Sequence, residues 1–296
     1  MTSTGITNWP APARLTVGIV SSGRVGTAIG QALERAEHVV GSVTAHSAQS
    51  RARAAERLPE SEVREPADVA SRCELLILAV PDDRLPVVIA DLAASGAVRP
   101  GTIVAHTAGA HGIRILDPLT DIGALPLALH PAMTFIGTEE DTDRLRTCCF
   151  GITAADEVGL AIGQSLVLEM GAEPVHIAEA DRTLYHAALA HGANHLVALV
   201  SDAVRALRTV LGEQDVRAER VIGPMLVAAL DNTLQSGPKA LTGPVMRGDT
   251  QAVARHLEAL SAADRGIAEG YLAMARRAAF YTDPPADMIE LLKDEP

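Results

Sequence analysis

Residues 15–26 read Leu15-Thr16-Val17-Gly18-Ile19-Val20-Ser21-Ser22-Gly23-Arg24-Val25-Gly26. A compact apolar run, Leu15–Val20, enters a glycine-bearing turn. Arg24–Ala36 follows, with apolar residues at Val25, Ile29 and Leu33 on one helical face. A strand, a glycine turn and a helix in that order form a dinucleotide-binding fingerprint. It needs a tight turn, close backbone approach to a pyrophosphate, and close helix–sheet packing. Gly23 and Gly26 meet the second and third demands, while Ser21 stands where the first glycine belongs. If that position requires a positive φ, serine costs roughly 1 kcal/mol relative to glycine. Ser22, Gly23, Arg24, Val25 and Gly26 are the expected contacts, because free N–H groups at a helix start face phosphates. The competing reading is a glycine turn without a ligand.

Outward from this segment, strands and helices alternate. His38–Thr44 reads as a second strand, with a helix from about Ala48 to Arg57. Leu75–Val80 (LLILAV) is the strongest buried-strand signal, ends at Pro81, and precedes a helix over Leu85–Ala94. Thr102–Ala105 and Ala124–Leu129 read as further strands. Cys148–Ile152, Glu157–Met170 and Pro174–Ile177 give a last strand, helix and strand. This order predicts an α/β domain, a doubly wound parallel sheet covered on both faces. From Asp181 onward only helical spacing remains: Asp181–Leu211, Arg217–Leu234, Asp249–Leu260 and Ala262–Ala279. Gly237–Gly248, with three Gly and two Pro, interrupts them. The expected organisation is a loose tail over 1–14, a dinucleotide-binding domain over 15–178, and an all-helical domain over 179–296.

Composition excludes several classes. The 296 residues carry 25 basic and 37 acidic side chains, with three Tyr, three Phe and one Trp. A net charge of −12 with so few rings makes a poor general nucleic-acid binder. No apolar run reaches about 18 residues, so no membrane span is expected. Met1 to Arg14 lacks the pattern of a signal peptide. Three cysteines without metal-ligand spacing, Cys73, Cys148 and Cys149, fit a reducing cytoplasm.

About twenty residues after Gly26, an acidic residue would hold the ribose 2′-hydroxyl of NAD. Ala45-His46-Ser47 stands there instead, followed by Arg51 and Arg53. A hydroxyl and guanidinium groups suit a 2′-phosphate, so NADP is favoured over NAD. The alternative is a solvated helix face. Val80 and Pro81 end a central strand, where ligands sit in open α/β sheets. His106 and Thr107, in His106-Thr107-Ala108-Gly109, and then His130 end later strands and can meet the nicotinamide end or the substrate. Polar residues after buried strands are also simply how strands end.

With GRVG, AVPDD, HTAG and HPAMTF in that order, the chain resembles the Rossmann-like proteins that carry the C-terminal domain DUF2520. The helical half agrees through Tyr185-His186-Ala187-Ala188 with Asn194, Ala240-Leu241-Thr242-Gly243-Pro244, Arg247-Gly248-Asp249 and His256-Leu257. The match covers roughly residues 15 to 280. The family resembles the wider 6-phosphogluconate dehydrogenase-like group, which includes ketopantoate, hydroxyisobutyrate and pyrroline-5-carboxylate reductases. Some of its members are regarded as an alternative class of ketopantoate reductase. The resemblance implies an N-terminal Rossmann domain and a helical dimerising domain. It also implies NAD(P)H-dependent reduction of a small oxo acid or imine. Ser21 and Ala108 depart from the family's usual glycine and serine.

Hydride addition leaves an anion that needs a proton donor and stabilising groups. The related hydroxyacid dehydrogenases often pair a Lys and an Asn four residues apart on a long helix. Here Ala190 precedes Asn194 by four, so that pair is absent. His186 is the expected proton donor, since histidine as a residue type can supply a proton without an extreme environment. Asn194 is the expected substrate-positioning amide, although eight helical residues put the two roughly 12 Å apart. Lys239, with Thr242 and Arg247, can supply the missing charge and hold a substrate carboxylate. Tyr185 and His191 join the substrate side. His191 and His195 have i, i+4 spacing but no acidic partner, so no metal is expected. The functional expectation is an NADPH-dependent cytoplasmic homodimer that reduces 2-dehydropantoate. The alternatives are an imine reductase of the pyrroline-5-carboxylate type and a catalytically silent dinucleotide-binding regulatory protein.

Overall fold

The computed structural model describes residues 14–212 and 217–293. The tail expected over 1–14 lies outside the described residues apart from Arg14, which pairs with Glu37 at 3.1 Å. Among the described residues the strands are β1 (Thr16–Val20), β2 (Val39–Val43), β3 (Glu62–Val63), β4 (Leu75–Leu78), β5 (Ile103–His106), β6 (Leu125–Pro131), β7 (Cys149–Ala154) and β8 (Glu173–His176). The helices between them are α1 (Arg24–Arg35), α2 (Ala48–Arg57), α3 (Pro66–Ser71), α4 (Leu85–Ser95), α5 (Asp117–Thr120), α6 (Glu140–Leu145) and α7 (Glu157–Glu169). After β8 follow α8 (Arg182–Leu211), α9 (Arg217–Ser236), α10 (Pro244–Arg247), α11 (Thr250–Ala263), α12 (Arg265–Phe280) and α13 (Ala286–Leu291).

The strands form one sheet in the order β3-β2-β1-β4-β5-β6-β7-β8. The order reverses between β1 and β4, the switch point at which a crevice opens beyond the strands' carboxyl ends. The apolar runs are uninterrupted because both faces are covered. In β4, Leu75 and Ile77 enter one core with Ile29 and Leu33 of α1 and Leu166 and Val167 of α7. Leu76 and Leu78 enter the other, with Val69 of α3 and Leu85, Ile89 and Leu92 of α4. That two-residue alternation into separate cores defines a doubly wound sheet.

One expectation needs correction. The sheet is not wholly parallel, because β7 runs antiparallel to β6, with His130 opposite Gly151, and β8 then pairs parallel with β7. The Ala132 N–H donates to the Cys149 carbonyl at 2.8 Å, so β7 starts beside the end of β6. The connection holds only the short α6, which packs on α1. A chain that returns at the same end runs antiparallel.

The chain divides into two compact units, one ending at Leu189 and one beginning at Ala190, so the division falls inside α8. The second unit is helical. Its core is small: Val245, Val253, Leu272, Ala275, Met288 and Leu292. On α9, Val221, Met225, Val227, Leu230 and Leu234 are all exposed. No helix among the described residues is long and apolar enough to cross a membrane.

Candidate functional site

The turn from β1 into α1 is built as the fingerprint requires. Ser21 takes φ 84°, the conformation for which glycine is the usual choice. The strain is offset by hydrogen bonds to the end of β2. The Ser21 N–H donates to the Thr44 hydroxyl at 2.7 Å, and the Ser22 N–H and hydroxyl each donate to the Thr44 carbonyl at 2.8 Å. Ser22, expected among the cofactor contacts, is fully buried and acts instead as a strut that ties the turn to β2.

The two glycines serve different ends. A Cβ on Gly26 would stand 2.2 Å from the Ser21 carbonyl oxygen, so Gly26 lets α1 press against β1. A Cβ on Gly23 would meet only the Ser21 hydroxyl, at 3.4 Å, so the protein's own atoms leave the space over Gly23 open. The Thr27 N–H is the first in α1 to reach a carbonyl, that of Gly23. The N–H groups of Arg24, Val25 and Gly26 therefore lack backbone acceptors, and the first turn holds no acidic residue. An open approach, free donors and an unneutralised positive helix end together fit a pyrophosphate.

Beyond β2, the Arg51 guanidinium donates to the Ala45 carbonyl at 3.3 Å and that of Arg53 reaches the Ser22 carbonyl at 3.5 Å. Arg24 donates to the Phe135 carbonyl at 3.3 Å. Its stem and the Arg53 guanidinium flank Gly137, in the loop after β6. That loop is held by the buried Asp141 carboxylate, which accepts the N–H groups of Ile136 and Gly137. Among the described residues, none of these three arginines has a carboxylate within ion-pair distance, so they concentrate positive charge around the turn. His46 is exposed beside them. Ser47, expected as a phosphate ligand, caps α2: its hydroxyl accepts the Ser50 N–H, and the Ser50 hydroxyl accepts the Ser47 N–H.

Val80 and Pro81 follow β4 at the switch point, Val80 half-buried and Pro81 exposed. Thr107 follows β5, half-buried, its N–H on the Leu78 carbonyl. His106 does not face the nicotinamide end as expected. It is fully buried, its Nδ1 accepts the Ala108 N–H, and its Nε2 donates to the Gly112 carbonyl at 2.8 Å. Both ring nitrogens are thus committed to shaping the loop after β5. Burial pushes its pKa down to about 4, and the Arg182, His111 and His130 charges add to that.

A second group of side chains converges above β5, β6 and β7 from the first turns of α8. His130 Nδ1 lies 3.0 Å from Tyr185 Oη. The His130 ring stands edge-on to those of Tyr185 and His186, with centroids 5.6 and 5.8 Å away. Two glycines make the room. A Cβ on Gly151 would strike Tyr185 Oη at 2.6 Å, and one on Gly109 would strike His186 Cδ2 at 2.5 Å and His130 Nε2 at 2.9 Å. Beneath them Arg182 is 1% exposed. It donates to the Thr153 hydroxyl and to the Ala128 and Gly151 carbonyls, its Nη1 has no partner, and its guanidinium lies 5.8 Å from the Tyr185 ring centre. Burial lowers the pKa of His130 to about 4, with the His186 and Arg182 charges in support. Arg182, Gly109 and Gly151 were not singled out from the sequence. An arginine at a helix start ordinarily reads as solvated, and a glycine in a strand carries no mark of the ring packed on it.

His106 and His130 link this site to stability. Their folded pKa values lie below that of an unfolded histidine, so their contribution is fully present above pH ~6.5 and is lost as pH falls towards ~4. For the fully buried His106 the loss is about 3 kcal/mol. Urea unfolding at pH 7 and at pH 4.5 is expected to show most of that drop; equal midpoints would contradict it.

The remaining expected site residues lie in the second unit. Asn194, Lys239, Thr242 and Arg247 are exposed, and their side chains make no hydrogen bond among the described residues. His191 Nδ1 meets His195 Nδ1 at 2.8 Å, both exposed. No group of three or more His, Cys, Asp or Glu among the described residues is placed to hold a metal. Asp249 does not pair with Arg247; it caps α11 by accepting the Ala252 N–H.

Comparisons with known proteins agree with this architecture. A Rossmann-like domain matches residues 1–131, and the domain of unknown function DUF2520 matches residues 148–278. No curated protein matches the chain. Among solved structures, a provisionally named NADP oxidoreductase from Bacteroides fragilis aligns with a TM-score of 0.75 and 17% identity, over 90% of this chain and 98% of that one. An imine reductase from Myxococcus stipitatus in complex with NADP+ aligns with a TM-score of 0.61 and 14% identity, over 94% and 100%. A 1-pyrroline-5-carboxylate reductase from Streptococcus pyogenes aligns with a TM-score of 0.59 and 16% identity, over 90% and 99%. At these identities the likeness is one of fold. The two domain matches follow one another and together span most of the sequence, so the chain matches a Rossmann-like domain followed by a DUF2520 domain.

Proposed function

We propose that the protein is an NADPH-dependent reductase of a small anionic 2-oxo acid, with 2-dehydropantoate as the substrate suggested by the family resemblance. The observation that carries this reading is the β1–α1 turn, whose free N–H groups and open space over Gly23 match what a pyrophosphate needs. A bound reduced nicotinamide would supply the hydride. The chain's own residues would do the rest. Arg24, Val25 and Gly26 hold phosphate oxygens through their N–H groups, and Val80, Pro81 and Thr107 border the crevice at the switch point. His186 holds the proton that the product oxygen takes as the substrate carbon receives hydride. Asn194, with His191 one turn before it, is assigned to positioning the substrate, and Lys239 with Thr242 and Arg247 to holding its carboxylate. A second reading, reduction of a cyclic imine, draws support from the imine and pyrroline-5-carboxylate reductases that share this fold.

NADPH oxidation followed with a panel of 2-oxo acids and imines tests both readings. Turnover of one class alone selects between them. NADPH binding without any turnover would leave a regulatory dinucleotide-binding protein, and calorimetry showing uptake of neither NADPH nor NADH would overturn the reading.

Arg51 and Arg53, with Arg24, support NADP over NAD, since the end of β2 carries no carboxylate to repel a 2′-phosphate. Replacing Arg51 and Arg53 together by Ala is expected to weaken NADPH about tenfold to a hundredfold and NADH by less than about threefold, as charge-assisted bonds to one phosphate are lost. Equal losses for the two nucleotides would contradict the assignment. The uncovered apolar side chains of α9 support a homodimer, because so large an exposed apolar surface is ordinarily buried on association. Sedimentation should find a dimer, and Leu234→Asp should weaken it. Three free thiols suit a reducing compartment, and we take the cytoplasm as the site of action.

A further inference from the structure

We propose that His130 is a second catalytic residue: a neutral imidazole, oriented by Tyr185, whose Nε2–H polarises the substrate's carbonyl or imine beside His186. This rests on the reductase reading above. It divides the work differently from a single acid, with one ring that donates a hydrogen bond without giving up its proton and another that delivers one.

The geometry begins with the contact between Tyr185 Oη and His130 Nδ1 at 3.0 Å. A phenol is the better acid and an imidazole nitrogen the better base, so the tyrosine O–H donates and Nδ1 accepts. A neutral imidazole whose Nδ1 accepts carries its hydrogen on Nε2. That Nε2 has no hydrogen-bond partner among the described residues, His130 is half-buried, and its ring edge packs on Gly109, where a Cβ would stand 2.9 Å from Nε2. The edge of the His186 ring packs on the same glycine, 2.5 Å from where that Cβ would stand. Two imidazoles from different segments therefore meet over the end of β5, at the carboxyl edge of the sheet, where a ligand in the crevice would present its reacting group.

The surroundings keep His130 uncharged. The groups that face it are Arg182, buried and cationic, then His186 and Tyr185 on α8, and buried His106 on the neighbouring strand. Glu179, the carboxylate that acts on Arg182, is committed to the N–H groups of Ile113 and Arg114. Among the described residues, an imidazolium at 130 would find cations and no free carboxylate. Burial also holds its pKa far below the ordinary value. A neutral imidazole can polarise a carbonyl oxygen at neutral pH, since its N–H remains a donor while no net charge has to be buried. Arg182 pins the strand ends on which His130 and Gly151 stand, and Gly151 admits the Tyr185 ring. Tyr185 is thus a positioning residue that selects the tautomer.

The test uses the full-length protein with ¹⁵N-labelled histidine. Long-range ¹H–¹⁵N spectra at pH 7 should show His130 as a single Nε2–H tautomer that stays neutral down to about pH 5. A mixed or Nδ1–H tautomer, or titration near pH 6.5, would overturn the proposal, and this holds whether or not any variant folds. Tyr185→Phe should lose the single tautomer and lower kcat at least tenfold, while NADPH affinity stays within twofold. His130→Gln, whose amide still donates, should retain several times the kcat of His130→Ala. Wild-type kcat in Tyr185→Phe, or equal loss in Gln and Ala, would also overturn it. Absence of NADPH binding and turnover in the wild type would defeat the reductase reading instead and would leave the tautomer result to stand on its own.

Discussion

Gly23→Ala is expected to fold with unchanged stability and yet to lose at least tenfold in NADPH affinity. Gly23 has φ −73° and ψ −167°, extended values open to alanine, and its added methyl would meet only the Ser21 hydroxyl at ordinary contact distance. The protein has no packing reason for glycine there, and the methyl would occupy the approach of the pyrophosphate. Gly26→Ala is the matched contrast. Its methyl would lie 2.2 Å from the Ser21 carbonyl oxygen, 3.1 Å from Ile19 and 3.2 Å from Ala79, all on rigid strand ends. The helix must shift, so this variant should lose about 1–3 kcal/mol of stability, the usual penalty for overpacking, and should lose NADPH binding as well. Thermal unfolding and calorimetry read the two quantities apart. A Gly23→Ala protein with wild-type NADPH affinity would remove the ligand from the turn and, with it, the reductase reading.

His186→Ala should lower kcat by about a hundredfold or more, the range that a positioned proton donor supplies, with NADPH affinity within a factor of about two. The separation follows from position. His186 stands over Gly109 with His130, whereas the nucleotide's phosphates are assigned to the start of α1. The cavity left by a half-buried ring is small beside the core, so the fold should survive. Near-normal kcat in this variant would discard His186 as the donor; an equal fall in NADPH affinity would make it a binding residue instead.

The first unit was legible wherever function lies in consecutive residues. The run from Leu15 to Gly26 spelled strand, turn and helix. The positive φ at position 21 followed from the geometry that the turn demands, not from the serine that occupies it. The uninterrupted apolar run at Leu75–Leu78 announced a strand buried on both faces. Long helices after Asp181 were visible in their spacing. Ser22, Ser47 and His106 are engaged by the protein itself in ways the sequence did not show, for one shared reason. Each is a polar residue beside a motif, and whether its donors and acceptors are free depends on the backbone groups folded next to it: the Thr44 carbonyl, the Ser50 N–H and the Gly112 carbonyl.

Local order, then, was settled by adjacency along the chain, since apolar periodicity and turn chemistry act between residues a few positions apart. The direction of β7 and the meeting of His130, Tyr185, Arg182 and His186 were settled only by the packed molecule. His130 comes from β6 and the other three from the start of α8, some fifty residues later. Their protonation and orientation arise from desolvation and from neighbours that no linear spacing encodes.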